Sequence, residues 1–271
     1  MVRRIALGLE YDGRAFHGWQ TQPDGNTVQD HLERALGVIH SAPVNLLAAG
    51  RTDAGVHASA QVAHFDALLA RPEQAWVRGV NAHLPEGIRV LWARDVAEDF
   101  HARYSAEERL YRYLLLNRPV RPALLAGQVG WMHGHLDEAA MNRAADYLLG
   151  VHDFSAFRAA ECQAKTPVRD LREARVTRDG EMLTFRFRAN AFLHHQVRNL
   201  VGALVWVGLG RRPPEWLAEV LESRDRTRAA ATFAPDGLYL AGVRYDSRFG
   251  LPSSPFFPFA PNAQRPTPNA P

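Results

Sequence analysis

The stretch LREARVTRDGEMLTFRFRA, residues 171–189, decides the fold. Leu171–Arg178 and Met182–Ala189 read as strands, and Asp179-Gly180 between them is a strong hairpin signal. A hairpin pairs its strands antiparallel, so the neighbouring elements should belong to an antiparallel sheet. Outward from it, Arg3–Tyr11, Val44–Ala49, Ala60–Phe65, Ile88–Ala97, Leu110–Leu116 and Leu238–Tyr245 also read as strands. Helices are expected from an Asn26 or Thr27 cap to His40, over Glu73–Ala82, over Asp137–Leu149 with Gly150 as the stop, over His195–Val207, and over Glu215–Leu221. Strands and helices mix in both halves, which predicts an α+β fold with helices packed on one face of the sheet. Pro119 and Pro122 mark a break between two halves that carry elements of similar size. The expected division is 1–117, 118–248 and a proline-rich tail, 249–271. Seven of the last 20 residues are proline, which suits an irregular, poorly packed segment.

The chain has 271 residues, enough to bury a core without disulfide or metal staples. Cys162 is the single cysteine, which excludes a disulfide framework and a Cys-rich zinc module. With 46% hydrophobic and 23% charged residues, the composition is that of an ordinary globular protein. The longest apolar run, Leu200–Gly210, is half of the ~20 residues that a membrane helix needs. The N-terminus lacks the apolar core of a signal peptide, so neither membrane insertion nor secretion is expected. The net charge is only +3, and 31 of the 32 basic residues are arginine, Lys165 being the exception. That total leaves nucleic acid open as a partner without establishing it.

The most informative chemistry lies in Gly50-Arg51-Thr52-Asp53-Ala54-Gly55-Val56-His57. Two glycines bracket an Arg-Thr-Asp triplet between two strands, which displays Asp53 on a loop held by a rigid sheet. An adjacent arginine favours the charged form of a carboxylate, as a nucleophile or base requires. Spacing alone favours a turn aspartate in a surface ion pair, because Gly-Asp turns are common. Tyr111 and Tyr113 share one face of their strand, either as core or as an aromatic platform for a nucleobase. Arg198 sits in a mostly apolar helix and either faces solvent or needs a carboxylate such as Asp53. Among the twelve histidines, His133-Gly134-His135 and His194-His195 are the close pairs. Neither has zinc-site spacing, so no metal is expected. Phosphate loops are absent, and arginines in loop-like places shift the balance toward RNA.

These motifs occur together with Phe16-His17-Gly18-Trp19-Gln20, Phe100-His101-Ala102-Arg103, Tyr111-Arg112-Tyr113 and His194-His195-Gln196-Val197-Arg198-Asn199. In this order, from Ile5 to Leu240, the chain resembles the bacterial tRNA pseudouridine synthase A family, also called tRNA pseudouridine synthase I. The resemblance implies two similar halves sharing a continuous, mostly antiparallel sheet flanked by helices, with a central active-site cleft. It implies a cytoplasmic, cofactor-free isomerase that forms pseudouridine at positions 38, 39 and 40 of the tRNA anticodon stem–loop, acting as a homodimer. Asp53 then corresponds to the nucleophile, Tyr111 to the residue that stacks on the flipped uracil, and Arg198 to the partner of the nucleophile. Arg51 is implied to hold the RNA backbone. Arg71, Phe100, His101, Ala102, Arg103 and Tyr104 become substrate-binding candidates, as do Glu161, Cys162, Gln163, Ala164 and Lys165. The rival readings are a non-catalytic RNA-binding protein that uses the same basic cleft and a metal-dependent hydrolase, for which the sequence offers no ligand set.

Overall fold

A computed structural model describes residues 3–252 of the chain. Its strands are β1 (Arg3–Tyr11), β2 (Leu47–Ala48), β3 (His57–Ala67), β4 (Ile88–Val96), β5 (Ala106–Asn117), β6 (Gly130–Met132), β7 (Gly150–Asp153), β8 (Val168–Asp179), β9 (Met182–Ala189) and β10 (Leu238–Tyr245). The helices are α1 (Val28–His40), α2 (Glu73–Asn81), α3 (Glu138–Asp146), α4 (Gln196–Gly208) and α5 (Trp216–Ser223).

All ten strands join one sheet, in the order β4-β1-β3-β10-β5-β9-β8-β7, with β2 added beside β3 and β6 beside β5. Only β3–β10 and β5–β6 pair parallel, so the sheet is mostly antiparallel and the fold is α+β. The hairpin forms as its sequence dictates: Asp179 faces Met182, and Gly180 takes a left-handed φ of 57° that glycine adopts without strain. β5 is hydrogen-bonded between β10 and β9, both from residues 118–248. β10 reaches back to β3 through Tyr239–His57 and Leu240–Ala58, and this seam makes the sheet continuous.

Strand alternation sorts the side chains into two layers. Ile5, Leu7, Leu9, Tyr111, Tyr113, Phe185 and Phe187 share one large core with residues of all five helices. The opposite face carries smaller clusters without a helix, around Phe100 and Phe249 on one side and around Leu114 and Tyr239 on the other. The helices therefore lie on one face. α4 is buried nearly all round, which explains its almost unbroken apolar sequence.

Several boundaries differ from the sequence reading. Only Leu47–Ala48 of the expected strand Val44–Ala49 pairs, and β3 extends beyond Ala60–Phe65 at both ends. α3 stops at Asp146 rather than Leu149; Asp137 is its cap, and Gly150, with φ 97°, opens β7 instead of ending the helix. β6 and β7 are three and four residues long, too short to show a period-two pattern. Phe249 is buried against Phe100. The proline-rich stretch from 253 onward lies outside the described residues.

Candidate active site

The Asp53 loop is built by close packing of backbone on backbone. The Trp19 amide donates to the Thr52 carbonyl at 2.9 Å, and the Val56 amide donates to the Asp53 carbonyl at 3.1 Å. Gly18 has φ 84°, and a Cβ there would lie 2.7 Å from the Thr52 carbonyl oxygen, so only glycine permits this approach. Beneath the loop, Tyr11 and Thr52 hydroxyls hydrogen-bond at 2.8 Å, and Gln61 Nε2 donates to the Gly50 carbonyl at 2.7 Å.

His57 locks the far end of the loop. Its Nδ1 accepts from the Gly13 amide at 3.1 Å, which places the ring proton on Nε2. That Nε2 donates toward the carbonyls of Gly127 and Asp236, at 3.0 and 3.1 Å, while the ring stacks on Tyr239. Burial lowers the pKa of His57, consistent with a neutral ring. The loop is thus tied to segments of the second half of the chain.

Asp53 itself is about one-fifth exposed, and its Oδ2 accepts from Arg198 NH1 at 3.1 Å. Arg198 Nε donates to the Phe233 carbonyl at 2.9 Å, so the guanidinium is anchored on one side and presents its fork on the other. The pairing expected from a charged residue in an apolar helix is present, and it joins Asp53 of the first half to α4 of the second. His194 Nε2 lies 3.3 Å from Oδ1, and His195 Nε2 lies 3.3 Å from Oδ2. The two rings stand 4.0 Å apart. His195 occupies the N-cap of α4 with φ 60°, a conformation that costs a non-glycine residue of order 1 kcal/mol and is found where the surroundings enforce it. Burial lowers its pKa, against the opposing pull of the Asp53 charge.

Tyr111 projects from β5 to the helix-bearing face, with its hydroxyl beside Gly50 and its ring edge-on to Phe192 at 5.1 Å. Burial, then the neighbouring Tyr11 and Asp53, push its pKa well above the ordinary phenol value. The hydroxyl therefore keeps its proton at neutral pH.

The structure separates the remaining candidates. Arg51 is exposed on the Asp53 loop, while Arg71 lies over the Trp76 ring near the start of α2. Phe100 and Ala102 are fully buried. They hold from below a loop whose outer residues are Arg103 and Tyr104, the latter 76% exposed with the Arg103 guanidinium over its ring. His101 Nδ1 shapes that loop by accepting from the Arg103 and Tyr104 amides. Glu161, Gln163 and Lys165 are exposed, whereas Cys162 and Ala164 pack against the core and anchor the segment. The Ala159 amide donates to the His194 carbonyl at 3.0 Å, which sets this segment beside the histidine pair.

Sequence reading missed Arg109. Buried on β5, two residues before Tyr111, it donates to the carbonyls of Ala49, Arg103, Ala106 and Asn190. One guanidinium thereby braces the Asp53 loop, the Arg103 loop and the approach to α4. The available signal was its place on the same strand face as Tyr111 and Tyr113, an odd position for a charge.

Fold and site together define an enzyme class: an α+β protein with one aspartate fixed by a guanidinium at the seam of its sheet, bordered by arginines and aromatic rings. A family model described as tRNA pseudouridine synthase matches residues 9–105 and 144–246. The tRNA pseudouridine synthase A of Thiobacillus denitrificans is 61% identical over 260 residues, covering 96% of this chain and all of that protein. Those of Dechloromonas aromatica and Chromobacterium violaceum are also 61% identical, each over 92% of this chain and 95% or 96% of their own length. The chain belongs to the tRNA pseudouridine synthase family.

Proposed function

We propose that this enzyme isomerises uridine to pseudouridine at positions 38, 39 and 40 of the tRNA anticodon stem–loop, with Asp53 as nucleophile. The observation that carries the reading is the asymmetry of the Asp53 carboxylate. Arg198 donates a hydrogen bond to Oδ2, while Oδ1 faces the His194 ring nitrogen at 3.3 Å. One oxygen is thus oriented and the other available to attack uracil C6 or ribose C1′. The uracil then leaves C1′, turns, and rejoins through C5; N1 gains the proton that C5 loses. Atoms and electrons balance within the substrate, so the reaction calls for no redox carrier, nucleotide or metal.

The target base must leave its stack, at a cost of a few kcal/mol, and needs a platform and phosphate contacts in return. Tyr111 supplies the ring and, because its hydroxyl stays protonated, a hydrogen-bond donor rather than a resident base. Arg51, Arg103 and Tyr104, with Glu161, Gln163 and Lys165, form the outer contacts, and Arg71 extends them along the first half. The halves 1–117 and 118–248 are proposed to meet the RNA from two sides, in a cytoplasmic homodimer.

The test is mass-spectrometric mapping of pseudouridine in tRNA incubated with the protein. Wild-type protein should modify positions 38–40, and Asp53→Asn should bind tRNA without turnover. Normal turnover by Asp53→Asn would overturn the mechanism, and unmodified tRNA with wild-type protein would overturn the function.

A further inference from the structure

Asp53, His194 and His195 have a second chemical property that isomerisation does not use. One ligand atom from each lies within 4.8 Å of the other two, the one such group among the described residues. Tetrahedral metal–ligand bonds of about 2.0–2.1 Å place neighbouring donors roughly 3.3 Å apart. His194 Nε2 stands at that distance, 3.3 Å, from Asp53 Oδ1, and His195 Nε2 lies 3.3 Å from the other carboxylate oxygen, Oδ2. From this juxtaposition, we propose that Asp53, His194 and His195 bind a borderline divalent cation such as Zn²⁺, and that the bound cation inhibits the enzyme.

The donor set is two imidazoles and one carboxylate, which suits Zn²⁺ or Co²⁺ and is a poor match for Mg²⁺, a cation of oxygen ligands and octahedral geometry. Mg²⁺ that accompanies folded RNA therefore does not compete. Arg198 shapes the site rather than closing it. It bonds Oδ2 and is anchored on the Phe233 carbonyl, which leaves Oδ1 to the metal and fixes the plane of the carboxylate. The histidines are also held from behind: the Ala159 amide donates to the His194 carbonyl, and the Asn199 amide to the His195 carbonyl. Side-chain exposures of 40% for His194 and 27% for His195 give a cation access from solvent. Once bound, the cation takes the lone pairs of Oδ1 and fills the space the reacting ribose or base must enter.

Binding is independent of the proposed function, whereas inhibition rests on Asp53 being the nucleophile. The experiment separates them. Metal-free protein is titrated with Co²⁺ without tRNA, following the visible absorption of tetrahedral cobalt. One equivalent should develop the band, and Zn²⁺ should abolish it. His194→Ala should weaken affinity by at least on the order of tenfold, as should His195→Asn, which tolerates the left-handed backbone. His17→Ala, on a histidine paired with Asp24, serves as the control and should leave the titration unchanged. In parallel, Zn²⁺ should block pseudouridine formation, and EDTA should restore it. Absence of a stoichiometric band, or equal affinity in wild type and His194→Ala, overturns the site. Binding with undiminished turnover overturns the inhibition. Protein that makes no pseudouridine even when metal-free refutes the functional reading instead, and the cobalt titration still decides the site.

Discussion

Arg109 carries a charge into the protein interior and meets four carbonyl oxygens rather than a carboxylate. Burial lowers its pKa, yet an arginine starts so high that it remains a cation. Arg109→Met keeps much of the volume and strips three loops of their shared donor. It should cost about 3 kcal/mol by urea unfolding, the scale of several stranded buried acceptors, and should lower kcat through the loosened Asp53 loop. Arg198 poses a different demand, since one guanidinium spans Phe233 and Asp53. An ammonium cannot bridge both, so Arg198→Lys should reduce kcat by at least roughly tenfold, or ~1.4 kcal/mol of barrier, with tRNA affinity largely kept. Unchanged single-turnover rates would remove Arg198 from the site.

Elements owe their precision to their ends. α1 begins with a capping box in which Thr27 accepts from the Asp30 amide, while the Asp30 carboxylate accepts from the Thr27 amide. Thr27→Ala should cost about 1 kcal/mol and lower the melting temperature by about 2 °C in calorimetry. Such caps were legible in the sequence, as were the 179–180 hairpin and the strands flanking it, because local chemistry alone determines them. The Arg-Thr-Asp loop and the Arg198 helix were legible as separate pieces, and their pairing answered the question of where a charge in an apolar helix finds a partner. Long-range relations stayed hidden. No local pattern says that β10 inserts between β3 and β5, that Arg109 braces three loops, or that His194 and His195 face the two oxygens of Asp53. The burial of Phe100 and Ala102 was hidden for the same reason: they share a motif with exposed Arg103, but packing turned them inward.

At the scale of the molecule, buried histidines set the acid limit of stability. His64, buried and accepting the Ala102 amide on Nδ1, has its pKa pushed down to about 4 by burial, then by the charges of His101 and Arg4. His57 is shifted in the same direction. A histidine whose folded pKa lies below its unfolded value binds fewer protons when folded, so its stabilisation is present above the unfolded value and lost as pH falls. Unfolding free energy should therefore decline from about pH 6.5 toward pH 4, before the paired carboxylates titrate. His64→Gln should flatten that limb; an identical profile in the variant would assign the loss elsewhere. The seam between β3 and β10 bears on how the protein is made. Because β10 comes last among the strands of the described residues yet lies near the centre of the sheet, a ribosome must release residues 238–245 before the two flanks can join. His57 also takes one of its partners from Asp236, just upstream of that strand. The growing chain thus carries every residue of the Asp53 site while its scaffold is incomplete, and catalytic competence waits for residues 238–245.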